Sequence, residues 1–317
     1  MVTARRSAQT FIAVVAILVA GVLWGAIGVF VRRLDDLEYS PLTIVFARMS
    51  IAAILLAGFF VVTRRTELFL IKLRDIWWFA GAGLASSILL NYFYSVSIVM
   101  NPLSVASILL ASAPIFVVAI SAFVFKEKVT LQKVLALVLV FAGCVLVSGI
   151  FGGGSGAPQG NWFSASGVAI GFASALGWGL YGVLSRVALN RGYNSLTINF
   201  WAFLLGALAC VPFTDFGVIG RTVADQPGYM TLLLVLHTLC AALLPYALFT
   251  YGMRYVDTGT AAILASVEPV ASSLIGFFVY HEQPTVIVIL GIGVVLAGVV
   301  VMNLRWRAGQ AAPAPET

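Results

Sequence analysis

A single carboxylate, Glu268, lies in the middle of the apolar stretch AILASVEPVASSLIGFF, and a helix-breaking proline follows it directly. A charged side chain at the centre of a bilayer is costly and usually has a function. Pro269 lacks the backbone N–H of a helical residue and clashes with the carbonyl four residues earlier. Two interpretations are open for Glu268: it binds substrate or a proton, or it is a buried carboxylate bonded to the backbone of a neighbouring helix.

A second proline, Pro114, occupies the middle of another apolar run, 155 residues before Pro269. A proline in mid-helix removes a hydrogen bond and bends the helix there. The pair can act as kinks that serve packing, or as paired hinges that border a central cavity. The matched positions of the two prolines favour hinges.

Arg48 is the basic residue that lies within an apolar run. It follows Pro41 by seven residues, which places it about 10 Å below the start of its helix at about 1.5 Å per residue. Its side chain can extend back to the outer headgroups. Alternatively it faces a cavity, where it pairs with Glu268 or with the carboxylate of a substrate.

Polar side chains recur at matched positions of two further apolar runs. The run at 76–99, the third along the chain, carries Asn91, Tyr94 and Ser95. The run at 229–252, the eighth, carries Tyr246 and Thr250. At a shift of 155 residues Asn91 corresponds to Tyr246, and Ser95 corresponds to Thr250. Such groups either join helices by hydrogen bonds or contact a substrate near a twofold axis. We include them in the candidate binding site.

Two tryptophans, Trp24 and Trp178, also correspond to each other, and each lies on a helix face of small residues. They either close over a substrate or fill grooves between helices. His237 is nine residues from Tyr246, two and a half turns of an α-helix. It is therefore predicted to point away from the site and to serve packing.

These residues must be positioned by membrane helices, because the composition is that of a polytopic membrane protein. Of the 317 residues, 61% are hydrophobic and only 9% are charged, and the mean hydropathy is +1.05. A soluble domain is about 25% charged. Each of ten apolar runs is long enough to cross a bilayer as a helix. The runs are approximately 10–31, 42–63, 76–99, 103–125, 131–150, 167–189, 195–213, 229–252, 258–280 and 285–304.

The distribution of basic residues predicts the orientation of these helices. With the N-terminus in the cytoplasm, 14 of the 18 Lys and Arg residues lie on the cytoplasmic side and three lie outside, while Arg48 lies within a span. Positive residues favour the cytoplasmic side of a membrane. We therefore expect both termini inside the cell, and a multi-pass protein of the inner membrane.

The two halves of the chain repeat each other. WGAIGVFVRR at 24–33 corresponds to WGLYGVLSRV at 178–187, and Glu127 corresponds to Glu282. Each half has five helices, an odd number, so the second half is inverted relative to the first. The expected fold is that of an all-α integral membrane protein with ten transmembrane helices. The helices form two inverted five-helix repeats, at 1–150 and 163–317, which are joined by a linker at 151–162. Inverted repeats are typical of secondary transporters.

The segment 259–302, GTAAILASVEPVASSLIGFFVYHEQPTVIVILGIGVVLAGVVVM, resembles the signature of the drug/metabolite transporter superfamily, and in particular of ten-helix EamA-type exporters. The segment ASAPIFVVAISAFVFKEKVT at 111–130 fits the same pattern, and the resemblance covers nearly the whole chain. YHEQP at 280–284 departs from the glycine-containing turn of many members. In style the chain is similar to the aromatic amino-acid exporters of that family.

The resemblance and the repeats together imply a secondary transporter that exports small organic solutes, amino acids or related metabolites, by alternating access. Alternatives are a multidrug or nucleotide-precursor efflux carrier of the same family, a channel, or a membrane-embedded enzyme. An enzyme is disfavoured because the sequence has no evident nucleophile–base pair and no metal-ligand spacing. We expect no cofactor, metal or nucleic acid, and a protein that works as a monomer with a small-molecule substrate in the lipid bilayer.

Overall fold

The computed structural model describes residues 2–100, 109–147, 165–280 and 286–303, and all regular secondary structure among them is helical. The linker at 151–162 and Glu282 lie outside these residues. Five continuous helical stretches are long and apolar enough to cross a membrane: Gln9–Asp35, Pro41–Val62, Ser166–Asn190, Ser195–Phe213 and Pro227–Gly252. Three shorter apolar helices are Leu109–Val124, Leu131–Leu146 and Val286–Met302. The predicted all-α membrane fold is therefore confirmed.

Among the described residues, the first half contains seven α-helices: α1 Val2–Gly25, α2 Ile27–Asp35, α3 Pro41–Val62, α4 Ile76–Leu84, α5 Phe93–Met100, α6 Ala113–Val124 and α7 Leu131–Val147. A π-helical segment, Ala85–Tyr92, joins α4 to α5. In the described part of the second half there are eight: α8 Ala165–Asn190, α9 Ser195–Cys210, α10 Phe216–Asp225, α11 Pro227–Thr238, α12 Leu244–Gly252, α13 Thr258–Ala265, α14 Glu268–Tyr280 and α15 Val286–Asn303. A second π-helical segment, Leu239–Leu243, joins α11 to α12.

Equivalent polar residues cap the start of the second membrane span of each half. Ser40 caps α3 by accepting a hydrogen bond from the N–H of Thr43 at 3.3 Å. Its counterpart Asn194 caps α9 by accepting from the N–H of Leu196 at 3.0 Å. Such caps satisfy N–H groups that lack partners at a helix start. The same local signal therefore fixes the same helix boundary in both halves.

The helices of one half pack on those of the other in a reciprocal pattern. Helix α1 packs against α12, while α8 packs against α4, α5 and the π-helical segment between them. Helix α3 packs against α9, and α7 packs against α15. Under the repeat, the packing of α1 on α12 corresponds to the packing of α8 on α4 and α5. The other two contacts each join a helix to its own counterpart in the other half. The packing thus follows the pseudo-twofold symmetry that the sequence repeat predicts.

Glycines permit a close contact between α7 and α15. A Cβ atom built on Gly143 would lie 2.6 Å from the side chain of Val295, and one built on Gly298 would lie 2.8 Å from that of Val140. Gly143 corresponds to Gly298, and Val140 corresponds to Val295. The two helices therefore meet through the same pair of residues twice. Small residues of this kind allow membrane helices to approach closely.

Segments predicted to lie on the same side of the membrane meet at the same end of the bundle. At the inner end, which is the predicted cytoplasmic end, Arg191 pairs with Asp75 and Lys133 pairs with Asp257. At the outer end Tyr39 is hydrogen-bonded to Thr222 at 2.6 Å. The orientation of these ends relative to a cell remains a prediction.

Helix α10 was not predicted from the sequence, which indicated only a connection between two spans. It lies at the outer end, where the side chain of Asp215 caps it by accepting from the N–H of Val218 at 3.0 Å. Val218 is buried in a cluster with Leu34 and Met230. The helix is short and one-sided, so its apolar residues are too few to register as a membrane span.

Candidate functional site

The ninth predicted span is broken beside the candidate carboxylate. Helix α13 ends at Ala265, a turn covers Ser266 and Val267, and α14 begins at Glu268. The sequence analysis predicted a kink in a continuous helix, and this is corrected by the structure. Pro269 lies in the first turn of a new helix, where a missing N–H costs little.

The fourth span has an equivalent interruption at Ser112. Helix α6 begins at Ala113, with Pro114 in its first turn. The hydroxyl of Ser112 donates to the carbonyl of Leu109, and the backbone N–H of Ile115 donates to the carbonyl of Ser112 at 2.9 Å. Each proline thus marks the start of a half-helix. Their role as hinges stays a prediction, and the side chain of Pro269 lies outside the described residues.

The break in the ninth span lies directly against α1. A Cβ atom built on Gly21 would be 2.8 Å from the carbonyl oxygen of Ala265 and 2.6 Å from the side chain of Val267. Irregular backbone at this depth is tolerated only where protein or a water-filled cavity covers it. Gly21 allows α1 to cover the break at close range.

Glu268 is the first residue of α14, and it is partly buried. No hydrogen bond or ion pair joins its carboxylate to any other residue within the described ranges. The bond to a neighbouring helix backbone that the sequence left open is therefore not formed there. Tyr246 and Cys144 lie within range of an electrostatic interaction with Glu268.

Four aromatic rings from three helices pack together near this point, and we call them the aromatic cluster: Trp24, Trp178, Tyr246 and Phe249. The ring centroid of Trp24 is 6.0 Å from that of Trp178, 5.4 Å from that of Tyr246 and 5.5 Å from that of Phe249. The centroids of Trp178 and Phe249 are 5.3 Å apart. The two equivalent tryptophans therefore meet at the interface between the halves.

Three polar residues form a buried network beside the aromatic cluster. The hydroxyl of Tyr181 donates to Oδ1 of Asn199 at 3.0 Å and lies 3.2 Å from Oγ1 of Thr250. Thr250 also lies 3.1 Å from Oδ1 of Asn199. The Nδ2 atom of Asn199 is buried and has no hydrogen-bond partner among the described residues. Sequence reasoning found Thr250 but missed Tyr181 and Asn199, although both lie within the repeated segments WGLYGVLSRV and LTINF.

Arg48 faces the interior of the bundle. Its side chain is 5% exposed, and its Nη2 donates to Oδ1 of Asn91 at 3.3 Å. It does not extend to the outer headgroups, and it forms no ion pair with Glu268. Its Nε atom is buried, without a hydrogen-bond partner in the part of the chain that the structure describes. Tyr246 is within electrostatic range of Arg48 as well as of Glu268.

The structure treats the three polar candidates of the third predicted span differently: Asn91, Tyr94 and Ser95. The amide of Asn91 bridges Arg48 and the carbonyl of Ser86 within the π-helical segment. Tyr94 is partly buried, and the side chain of Ser95 lies outside the described residues. Thus the structure brings Trp24, Trp178, Tyr246 and Thr250 together, and joins Arg48 to Asn91.

His237 is buried among packed side chains, in keeping with the packing role that the sequence predicts. The ring is fully buried, stacks on Phe30 with centroids 5.6 Å apart, and lies within electrostatic range of Arg48. The π-helical segment Leu239–Leu243 separates His237 from Tyr246. A π-helix forms i→i+5 bonds and has more residues per turn than an α-helix. The segment thus changes the angle between His237 and Tyr246 from that of an α-helical count, and the exclusion of His237 from the site stays a prediction.

Comparison with known proteins follows the same division into two halves. A model of the EamA-like transporter family matches residues 11–149 and again 165–304. An uncharacterized transporter of Archaeoglobus fulgidus is 28% identical over 92% of this chain and 95% of its own length. The uncharacterized transporter YxxF of Bacillus subtilis is 23% identical over 96% and 93%. A solved crystal structure with 19% identity aligns with a TM-score of 0.71 over 94% of this chain and 96% of its own, which supports the fold.

Proposed function

Because the chain belongs to the EamA-like transporter family, we propose that it exports small organic solutes, such as amino acids or related metabolites, across the inner membrane by alternating access. Glu268 carries this proposal. It is an ionisable group without a counter-ion among the described residues, beside a helix break and within electrostatic range of the aromatic cluster. Intramembrane carboxylates of this kind mark substrate or proton pathways.

The charges around Tyr246 suit a solute that carries both signs. Arg48 is a buried cation with an unpartnered Nε, and Glu268 is a carboxylate at the start of a half-helix. A carboxylate of the solute would accept from Arg48, while its ammonium group would lie near Glu268. The aromatic cluster would contact the apolar part of the solute. An amino acid has these three features.

Alternating access would use the two breaks that the prolines mark. Broken helices at the repeat interface are typical sites of binding and movement in secondary transporters. In this mechanism α6 tilts at Pro114 against the preceding part of the fourth span, and α14 tilts at Pro269 against α13. The reciprocal packing of the two halves supports it, because a symmetric framework has two related arrangements.

The test uses Glu268→Gln in proteoliposomes loaded with radiolabelled amino acids. The amide keeps the size of the side chain and one acceptor oxygen but removes its charge and its titration. We expect at least a tenfold loss of initial efflux rate, equivalent to about 1.4 kcal/mol. The matched control is Glu67→Gln, an exposed carboxylate of the inner end, which should transport at the wild-type rate.

Rates are measured from pH 5 to 8 at equal amounts of inserted protein. A variant with the rate and the pH profile of wild type would remove Glu268 from the mechanism. A variant that transports but no longer responds to pH would assign Glu268 to proton coupling. Competition by cationic drugs and nucleosides in the same assay separates amino-acid export from the multidrug and nucleotide-precursor alternatives.

A further inference from the structure

A surface cavity of about 620 Å³ lies at the inner end of the bundle, at the start of α4. It is lined by Lys72, Arg74, Asp75, Trp77, Trp78 and Arg191. The lining combines residues of the connection before α4 with Arg191 from the connection after α8. Arg191 follows Trp178 of the aromatic cluster by 13 residues, about 20 Å along α8 at about 1.5 Å per residue.

The cavity carries an excess of positive charge. Its one carboxylate, Asp75, pairs with Arg191 and accepts a hydrogen bond from the hydroxyl of Tyr193 at 2.7 Å. The bond from Tyr193 lowers the pKa of Asp75, and the charge of Arg191 adds to this effect against the opposing influence of burial. Asp75 is therefore ionised at neutral pH, and it is already engaged.

Lys72 and Arg74 are exposed, and neither forms an ion pair with the part of the chain that the structure describes. Two cations are thus available to an external anion. Within the same lining, the guanidinium of Arg191 lies over the ring of Trp78, with its Cζ 5.0 Å from the ring centroid. This contact holds Arg191 in place beside Asp75.

The cavity is at the depth of lipid headgroups. Trp77 is 76% exposed at the first turn of α4, and tryptophan is enriched at the interface between hydrocarbon and water. Basic residues beside the cytoplasmic end of a membrane helix attract anionic lipids. The exposed ring of Trp77 offers an apolar wall on the side that leads toward the acyl chains.

The residues that line this cavity are not repeated at the outer end, although the sequence repeat relates the two ends. The residues that correspond to its basic and tryptophan members at the outer end are Leu37, Pro227, Tyr229, Leu232 and Leu233. None of them is charged. The fold therefore tolerates neutral residues at these positions, and the charged set belongs to the inner end alone.

We propose that this cavity binds the phosphate group of an anionic phospholipid from the cytoplasmic leaflet. The phosphate oxygens accept from the ammonium of Lys72 and the guanidinium of Arg74, and the glycerol and upper acyl chains lie along Trp77. Arginine and lysine both form charge-assisted hydrogen bonds with phosphate. This site does not depend on the identity of the transported solute.

The test is thermal unfolding of the whole chain in a non-ionic detergent, with added phosphatidylglycerol or phosphatidylcholine. Wild type is compared with the double variant Lys72→Gln/Arg74→Gln. The matched control is Arg64→Gln/Arg65→Gln, which removes the same charge from exposed residues of the same end that do not line the cavity. Phosphatidylglycerol should raise the midpoint of wild type and of the control by on the order of 5 °C more than phosphatidylcholine does.

In the double variant this difference between the lipids should disappear. An equal response of the double variant and the wild type would overturn the proposal, because general attraction to a basic surface would then suffice. Glycerol phosphate is added in a separate arm, and a full response to it would also overturn the proposal in favour of a soluble phosphate. If the double variant does not fold, Arg74→Gln alone is titrated, and an unchanged response to phosphatidylglycerol is again the contrary result.

Discussion

The two ends of the bundle share one framework but are closed by different chemistry. Tyr193 at the inner end corresponds to Tyr39 at the outer end, and each tyrosine ties one half to the other. The hydroxyl of Tyr193 donates to the carboxylate of Asp75, which also pairs with Arg191. The hydroxyl of Tyr39 is bonded to the neutral hydroxyl of Thr222.

A second charged contact exists at the inner end. Nζ of Lys133 lies 2.7 Å from Asp257 and 3.6 Å from Glu127, while the carboxylate of Glu127 accepts from the N–H of Thr258 at 3.1 Å. The positions that correspond to Lys133 and Asp257 are Val288 and Pro102, neither of which can form such a pair. Pro102 lies outside the described residues.

This difference teaches that repeat symmetry fixes the backbone but not the energetics of the two ends. The inner end is joined by ionic contacts that are sensitive to charge and pH. At the outer end, among the described residues, the charged contacts between the halves join exposed side chains: Arg221 pairs with Glu38, and Arg33 donates to Tyr229. The more buried contact there is the neutral hydrogen bond of Tyr39 with Thr222. A transporter that alternates between two related shapes would thus meet unequal resistance at its two ends.

The largest expected effect concerns the assignment of the ends to the two sides of the membrane. In a background without the three native cysteines, Ser155→Cys should react with an impermeant maleimide added to intact cells, because the predicted linker is outside. Glu67→Cys should react only after the cells are permeabilised. The opposite labelling pattern would mean that the end we call inner faces the outside of the cell. The ionic contacts would then close the outer side of the protein.

The next effect concerns the Lys133 contact. Lys133→Met leaves Glu127 and Asp257 together without a cation, and loss of one partner from a buried ion pair costs about 3–5 kcal/mol. We expect a loss near the lower value, about 3 kcal/mol, because the side chain of Asp257 is 37% exposed and water screens it. The measurement is the midpoint of thermal unfolding in detergent, with the exposed Lys128→Met as control.

The same pair of proteins also tests the electrostatic origin of the effect. Burial raises the pKa of Asp257, but the charge of Lys133 and the bonds from Thr260 outweigh burial, and the net pKa is lowered. The stabilisation is therefore present at neutral pH and is lost as the pH falls through the lowered pKa. The difference between wild type and Lys133→Met should shrink below about pH 4, near the usual carboxyl pKa. A constant difference at all pH values would point to packing rather than charge.

The smallest expected effect is the difference between the stability lost on replacing Tyr193 and that lost on replacing Tyr39. A hydrogen bond to a charged group contributes about 1.5–3 kcal/mol and a neutral one about 0.5–1.5 kcal/mol. Tyr193→Phe should therefore destabilise the protein by about twice as much as Tyr39→Phe, a ratio measured by thermal unfolding under one set of conditions. Equal losses would mean that the charge at the inner end adds nothing to the closure.

Much of the fold was predictable because its signals are local or repeated. Apolar runs, helix caps at Ser40 and Asn194, and the constant shift between the halves all lie in the sequence. The meeting of Trp24 with Trp178 also follows from symmetry, because equivalent residues near a twofold axis lie close together. Tyr246 and Thr250 were found by the same reasoning.

Other features depend on backbone geometry that the sequence does not reveal by spacing. The π-helical segment Leu239–Leu243 changes the angle between His237 and Tyr246, which an α-helical count does not anticipate. The turn at Ser266 and Val267 replaced a predicted kink with two separate helices. Asn199 and Tyr181 have no polar counterpart in the first half, so the repeat could not mark them.

The close contact between α7 and α15 has a consequence for how such a molecule can be assembled. Gly143 meets Val295 as Gly298 meets Val140, so the interface is isologous: each surface is complementary to an inverted copy of itself. A chain that ended after α7 would already present both sides of this contact. The two surfaces therefore fit each other without the covalent connection between the halves. The connection instead keeps the two halves in a one-to-one ratio, and it allows each half to carry different charges.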